Sequence, residues 1–337
     1  MRRGLGKVSF PFLFVLMMQL SCVAVAEQDD AFDWIAVTLD NDLFVGNDNG
    51  YTNGFYVTAL DLSDNKGYVP ANDFWVWPLL WTLGDSEVEG AVNVYSIGQT
   101  LLSPSDITIE VPAENELPYA GLLTFSNTYL TANVNTADRI STTIGIIGPW
   151  ALGEETQKTV HKAIGADEPQ GWDTQLENEL VFQFHRSRAW RQLHFNDGRT
   201  DIITAASIEA GTISSSVEGM IALRFGQELE RSFPTTLLSS SRLSNPVAAN
   251  QGWFFYLGLN TGYLFNRIFT NGNTFRNSRS IPYDKEYLGA SAGLTLAYQN
   301  WAFTMAFSDS NIIANSRDDE ALENLTRFGT FTIAWRI

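Results

Sequence analysis

The sequence predicts an all-β fold, a transmembrane antiparallel β-barrel of twelve strands with a short helix in an extracellular loop. Three observations support this prediction. Apolar side chains alternate with small or polar ones, the N-terminus has the pattern of an export signal, and 13% of the residues are aromatic although the mean hydropathy is only −0.08. Strands of a membrane barrel alternate between lipid-facing and lumen-facing residues, so their average hydropathy is near neutral.

The first 26 residues predict a secretory signal peptide. Arg2, Arg3 and Lys7 form a basic start, residues 8–20 are mostly apolar, and the small residues up to Ala26 form an exit with cleavage before Glu27. The alternative is a lipoprotein anchored through Cys22, the only cysteine, but the preceding Gln-Leu-Ser is a poor lipobox. Cleavage after Ala26 leaves a chain without cysteine and therefore without disulfides.

Residues 27–337 are predicted to form a single outer-membrane barrel domain. Beyond the signal, no apolar run approaches the ~18 residues that a membrane-spanning helix needs. The net charge of −17 argues against nucleic acid as a partner. A soluble periplasmic β-sandwich is the alternative fold.

The clearest strand pattern lies in the C-terminal third. In "LGASAGLTLAY", residues 288–298, every second side chain is Leu, Ala or Tyr, and the residues between them are mostly Gly, Ser or Thr. Gln299 and Asn300 form a tight turn, after which residues 301–308 alternate again. A period of two with one apolar face is the mark of a strand whose two sides meet different media.

The same pattern along the chain predicts twelve strands, an even number as in bacterial barrels. The longer connections between them, at 64–89, 228–251 and 268–285, are polar or contain Gly and Pro, and we expect no second core there. The predicted strands lie near 32–42, 51–63, 90–101, 118–131, 138–148, 173–189, 200–213, 217–227, 252–267, 286–298, 301–309 and 325–337.

Residues 154–165, "EETQKTVHKAIG", predict the short helix. Glu154 and Glu155 suit the positive end of a helix dipole, and Gly165 is a plausible C-terminal cap. Gln157 and His161 are four residues apart and therefore share one face. Neutral imidazole is the commonest general base near pH 7, so His161 is a candidate base. The alternative is a surface histidine on a loop helix.

A polar stretch, "TLDNDLFVGNDNGYTNG" at 38–54, offers clustered carboxylate and amide oxygens that suit Ca²⁺. It lacks the Gly and Glu positions of an EF-hand, and a polar turn between the first two strands is the alternative. Other hydrolytic sites are poorly supported. The one Gly-x-Ser-x-Gly sequence, residues 289–293, lies within the alternating pattern of a predicted strand and not at the strand-to-helix turn of a nucleophile elbow, and the three histidines lack the spacing of a zinc site.

Together these segments resemble the lipid A 3′-O-deacylase family of Gram-negative outer membranes. The resemblance covers about residues 35–180. It rests on Asn41-Asp42, Tyr51-Thr52 with Gly54, Gly98-Gln99 with Ser103-Pro104, and "IGPWALGEETQKTVHKAIGA" followed by "GWDTQLENE".

The resemblance implies a twelve-stranded barrel with a site near the outer rim, between the wall and the short helix. It also implies Ca²⁺-dependent removal of the 3′-linked acyloxyacyl group of lipid A, with lipopolysaccharide as substrate and membrane lipid as surroundings. We expect the chain to be a monomer. The residues that match the family's functional positions are the base His161, Gln157 one turn before it, Asn41 and Asp42 on strand one, Thr52 on strand two, and Asp167 in place of a family Glu.

These residues suggest a mechanism for ester hydrolysis. We expect Ca²⁺, held by Asp42 and Asp167, to stabilise the carbonyl oxyanion while His161 activates water. Asn41, Thr52 and Gln157 would orient the water, the imidazole or the substrate. Two alternatives stay open: an outer-membrane phospholipase-like esterase, and a non-enzymatic barrel acting as a small pore or binding protein.

Overall fold

A computed structural model describes six stretches of the chain: residues 32–41, 53–62, 70–84, 88–235, 252–309 and 327–337. They belong to a single unit, Phe32–Ile337. The predicted signal peptide, residues 1–26, lies outside the described residues and stays a prediction.

Twelve antiparallel strands close into a barrel in which each strand pairs with its neighbours in sequence and β1 pairs with β12. The predicted fold class is therefore confirmed. The strands are β1 Trp34–Asn41, β2 Gly54–Asp61, β3 Gly90–Leu102, β4 Ala120–Ala132, β5 Thr136–Ile147, β6 Glu179–Phe195, β7 Thr200–Gly211, β8 Ser214–Gly226, β9 Gly252–Arg267, β10 Glu286–Tyr298, β11 Trp301–Asp309 and β12 Arg327–Arg336.

The predicted sixth strand, 173–189, was wrong by six residues at each end. Its predicted start falls in a 3₁₀ turn, Trp172–Thr174, whose tryptophan is buried against the outer wall. Its actual end is later because the register shifts between Arg191 and Leu193, where a bulge interrupts the alternation of side chains. A period-two pattern cannot be followed through such a bulge, although the strand continues beyond it.

Every strand runs between two rims. We call the end at which β1 starts, at Trp34, and β12 ends, at Arg336, the lower rim. The opposite end, where β1 ends at Asn41 and β2 starts at Gly54, is the upper rim.

The described helices are α1 Asp73–Leu80, α2 Gly153–Ile164, α3 Leu229–Ser232 and α4 Ile268–Asn271. The α2 helix agrees with the prediction, and Gly165 ends it in the left-handed region, at φ 74°. The connection 64–89 contains a helix that the sequence did not predict, α1, which packs Val76 against Tyr129 and Ile140 of the wall. None of the helices in the described stretches has the length and apolar character needed to cross a membrane.

The lumen contains two apolar clusters together with buried charged and polar side chains, among them Arg139 and His185. Near the lower rim, inward-facing residues of most strands pack together with Phe233, which follows α3. Near the upper rim, Leu102, Leu122 and Ile147 pack with residues of the connecting loops, including Ile268 and Ile281. The interior of the barrel is therefore a packed core at both ends.

Candidate functional site

The α2 helix lies against the outer face of the wall at the upper rim. On β3 and β4, Leu101 pairs with Gly121, and both lie on the face that carries the exposed Ile97. A Cβ atom on Gly121 would lie 3.1 Å from the Cα and N atoms of Gly153, the first residue of α2. The absence of side chains at both glycines therefore lets the helix backbone touch the strand.

Gln157 anchors the middle of α2 to the wall. Its side chain is buried, its Nε2 donates to Ser103 Oγ at 3.2 Å, and its Oε1 accepts from Trp172 Nε1 at 2.7 Å. The preceding turn is tied to β3 by Gln99, whose Nε2 donates to the carbonyl of Ala151 at 2.6 Å. In this structure the amide of Gln157 thus serves to position the helix.

An aromatic cluster packs between the helix and the wall. Tyr119 and Trp172 are fully buried with Leu101, and their ring centroids are 5.0 Å apart. The Tyr119 hydroxyl donates to the carbonyl of Ile107 at 3.2 Å, and burial raises the pKa of this phenol to about 12. A Cβ on Gly171 would lie 2.5 Å from the Tyr119 ring, so the chain returning from α2 also packs closely here.

His161 lies in the last turn of α2, where its Nδ1 is 2.6 Å from the backbone carbonyl oxygen of Asp167. A carbonyl oxygen only accepts, so this contact requires the proton on Nδ1 and leaves the lone pair on Nε2. The imidazole is half-buried, and Gly165 turns the chain so that residue 167 can reach it. The backbone of Asp167 thus selects the tautomer in which Nε2 can accept a proton.

One ion pair stands on the exposed side of the helix. Lys158 Nζ lies 2.7 Å from Glu154 Oε1, one turn earlier, and this hydrogen bond raises the pKa of Lys158. Glu168, in the loop that carries Asp167, lies 4.0 Å from the same ammonium. The pair is solvated, so we assign it little energy.

Asn41 lies on the same outer face as α2. Inward-facing residues alternate with outward-facing ones along β1, so Asp40 faces the lumen and accepts from Thr330 Oγ1 at 2.7 Å. Asn41 faces outwards and its amide donates to Asn53 Oδ1. The backbone carbonyl of Asn53 in turn accepts from the Leu101 N–H at 2.9 Å. Asn41, Asn53 and Leu101 thus form a row of outward-facing positions from β1 to β3.

The path of α2 leads towards this row. Its first residue contacts Gly121 on β4, and four residues later Gln157 contacts Ser103, just beyond β3. The helix therefore runs in the direction of β2 and β1, where Asn53 and Asn41 lie. Of the predicted site residues, His161, Gln157, Asn41 and Asp167 belong to the described stretches. Asp42 and Thr52 lie outside them.

The groups at this rim are oxygen donors of the kind that Ca²⁺ takes: the amide oxygens of Asn41 and Asn53 and the exposed carboxylate of Asp167. Within the described ranges, no three His, Cys, Asp or Glu side chains cluster as a metal site.

The sequence did not indicate the contact of Gly121 with Gly153 or that of Trp172 with Gln157. Each contact joins residues far apart in the chain, and no local pattern marks a close approach of that kind. Gln99 and Ser103, which carry part of the family resemblance, both hold the loop that carries α2.

Comparison with known proteins finds matches over most of the chain. Residues 12–337 match the model of the family described as outer membrane protein LpxR. LpxR from Salmonella typhimurium is a solved structure with a TM-score of 0.69 and 16% identity, and the match covers 90% of this chain and 100% of that one. The translocator domain of the autotransporter NalP from Neisseria meningitidis matches at a TM-score of 0.41 and 9% identity, over 96% and 94% of the two chains. No curated protein sequence matches.

Proposed function

Because this chain belongs to the LpxR family of outer membrane proteins, we propose that it is a Ca²⁺-dependent esterase that removes the 3′-linked acyloxyacyl group of lipid A. The observation that carries the proposal is the contact between His161 Nδ1 and the Asp167 carbonyl, 2.6 Å long, on a helix docked outside the barrel wall. A general base needs an acceptor nitrogen of fixed orientation, and this contact supports that role for Nε2.

The location of the helix supports a lipid substrate. Its anchors, Gln99, Leu101 and Gly121, are on the outward face of the strands, which is the face that membrane lipids contact. The helix and the turn before it carry exposed apolar side chains, namely Trp150, Leu152, Val160 and Ile164. An ester on a membrane lipid could therefore reach His161 without entering the lumen.

The proposed reaction is hydrolysis of an ester by water. His161 Nε2 accepts a proton from a water molecule while the oxygen of that water bonds to the ester carbonyl carbon. The C–O bond to the sugar oxygen then breaks, and the imidazolium returns the proton to that oxygen, giving a carboxylic acid and an alcohol. Throughout, the Asp167 carbonyl holds Nδ1–H and keeps the ring in place.

The polar groups around the ester in the proposed site come from Asn41, Asp42, Thr52 and Asp167. Ca²⁺, when held by Asp42 and Asp167, supplies positive charge that offsets the negative charge developing on the ester carbonyl oxygen. Asn41 and Thr52 orient water or substrate at the upper ends of the first two strands. Gln157 acts indirectly, because it holds the helix on which His161 is carried.

The packed lumen weighs against a small pore. Apolar clusters occupy it near both rims, and Arg224 ties α3 into the lower one by donating to the Leu229 carbonyl and to Ser232 Oγ at 2.6 and 2.8 Å. A conducting barrel needs a continuous aqueous path, so the pore alternative predicts a different interior.

Mass spectrometry of lipid A tests the proposal. Cells that express the protein should yield lipid A lighter by the 3′-linked acyloxyacyl group when Ca²⁺ is present and unmodified lipid A when a chelator is added. Fatty acid and lysophospholipid products with unchanged lipid A would instead support a phospholipase-like esterase. The absence of any ester product would support the non-enzymatic alternative.

A further inference from the structure

A second helix, α1, also lies outside the wall, at the lower rim. Asn72, the residue before it, uses its backbone N–H to reach Asn93 Oδ1 at 3.3 Å and its side-chain amide to reach Tyr95 Oη at 3.0 Å. Asn93 returns a hydrogen bond to the Pro70 carbonyl at 2.8 Å. Asn93 and Tyr95 share the outward face of β3 with the exposed Ile97, so the helix begins on the outside of the barrel.

From β3, α1 runs around the wall. Its buried Val76 packs against Tyr129 of β4 and Ile140 of β5, and the Thr82 carbonyl beyond its end accepts from Arg186 of β6 at 3.2 Å. Three strand spacings amount to about 14 Å, and eight helical residues rise about 12 Å. The helix therefore lies across the lower ends of β3, β4 and β5 and reaches β6, along the plane of the membrane.

The inner face of α1 covers polar side chains that point out of the barrel. Asn93 and Asn127 are both buried on the outward face, although such positions normally meet lipid. Trp75 also packs on Phe125, with ring centroids 4.8 Å apart. The helix thus shields a polar part of the wall from the bilayer.

The outer face of α1 is apolar as well. Phe74, Trp77 and Trp81 recur at helical spacing and are 78, 67 and 82% exposed. With Val76, Leu79 and Leu80 on the inner side, the helix is apolar all round beyond its first residue, Asp73. A helix of this kind is stable only when apolar surroundings cover both faces. The wall covers one face, and the exposed aromatic face requires a second cover.

The charges beside α1 indicate what that cover is. Asp138 of β5 pairs with Arg186 and with Arg188 of β6, the latter at 2.7 Å, and the Arg188 side chain is 37% exposed on the outer wall. Charged side chains on the lipid face are tolerated near the interfaces and costly at the bilayer midplane. Higher on the same strands, the exposed residues Ile144 and Phe182 are apolar. The level of α1 therefore corresponds to the boundary between headgroups and acyl chains.

We propose that α1 is an interfacial helix whose Phe74, Trp77 and Trp81 face inserts among the phospholipids of the bilayer leaflet at the lower rim. Tryptophan suits this boundary because its ring is apolar and its indole N–H is polar. The face is continuous with the lipid-facing wall above it, which favours phospholipid over a protein partner. The helix anchors the loop between β2 and β3 to the membrane.

Spin labelling tests this location in the full-length protein reconstituted into phosphatidylethanolamine–phosphatidylglycerol vesicles. A nitroxide is attached at Trp77→Cys or Trp81→Cys on a Cys22→Ser background, and its collisions with oxygen and with a water-soluble nickel chelate are measured. Leu257→Cys, on the outward face of β9, is the lipid control, and Arg199→Cys, in the turn after β6, is the water control. We expect the oxygen-to-nickel ratio at 77 and 81 to be close to that of Leu257 and several-fold above that of Arg199.

Two outcomes would overturn the proposal. A ratio at 77 and 81 equal to that of Arg199 would mean that the aromatic face meets water. Low collision rates with both reagents would mean that protein covers it, either a second copy or another chain. Heat-modifiable mobility on gels establishes that each labelled variant is folded, and the second labelled position guards against a local effect of one substitution.

Discussion

The Nδ1 atom of His161 lies 2.6 Å from the backbone carbonyl oxygen of Asp167, six residues further along the chain. Because the carbonyl accepts, the imidazole holds its proton on Nδ1 and presents the lone pair of Nε2. The contact uses the backbone of Asp167, so its carboxylate can serve another purpose. In our proposal that purpose is to bind Ca²⁺.

Asp167→Asn separates these two roles. The variant keeps the backbone carbonyl and therefore the orientation of His161, but it loses one negative charge. We expect weaker Ca²⁺ binding by calorimetry and a higher Ca²⁺ concentration for half-maximal deacylation, with activity restored at saturating Ca²⁺. Asp167→Glu, which keeps the charge, is the matched control. Unchanged Ca²⁺ binding in Asp167→Asn would show that only the carbonyl of this residue matters.

Gln157→Leu tests the anchoring of α2. The substitution leaves Trp172 Nε1 and Ser103 Oγ without their partner in a buried place, which costs about 1–3 kcal/mol. We expect faster amide hydrogen exchange over residues 153–172 and reduced activity in a barrel that stays folded. Lys158→Ala, next along the helix and partly exposed, should change neither property. Lost activity with unchanged exchange would instead assign Gln157 a direct contact with substrate or water.

Gly121→Ala tests the contact between the helix and β4. The new methyl group would lie 3.1 Å from Gly153, so we expect α2 to shift outwards at a cost of about 1–3 kcal/mol. Deacylation should fall, while heat-modifiable mobility remains that of a folded barrel. Gly219→Ala on β8 is the matched control, because nothing lies within 4 Å of its added Cβ. Equal activity of the two variants would contradict the close packing of α2 on the wall.

The alkaline titration of Tyr119 reports the packing beneath α2. Burial raises the pKa of this phenol from 10.0 to about 12, so the folded state favours the neutral form. The stability of this packing is fully present below pH 10 and is lost as the pH rises towards 12. The tyrosinate absorbance of wild type minus Tyr119→Phe should titrate near 12 in the folded protein and near 10 after unfolding. A folded-state midpoint near 10 would mean that the ring is exposed.

Most of the fold could be predicted from the sequence because alternation is a local property. Strands such as β9, β10 and β11 have the predicted bounds, and β6 was misplaced where a bulge breaks the alternation. The α1 helix was missed for a related reason. Beyond Asp73 its residues are apolar on all sides, so no periodic pattern marks it as a helix in a loop.

The site could be predicted only in part. Caps and acidic residues mark α2 in the sequence, and the spacing of Gln157 and His161 places both on one face. The direction in which each side chain points depends on tertiary contacts. Gln157 turns to Trp172 and Ser103 because the docked helix buries it, and His161 meets a carbonyl that only the Gly165 turn brings within reach.

The most direct test of the central claim is the mass of lipid A from cells that express wild type or His161→Ala, with both barrels shown to be folded by heat-modifiable mobility. Loss of a general base lowers the rate by about 10²–10⁴-fold. We therefore predict that wild type releases the 3′-linked acyloxyacyl group and that His161→Ala leaves lipid A unmodified. Equal deacylation by the two proteins would contradict the role of His161 as the base.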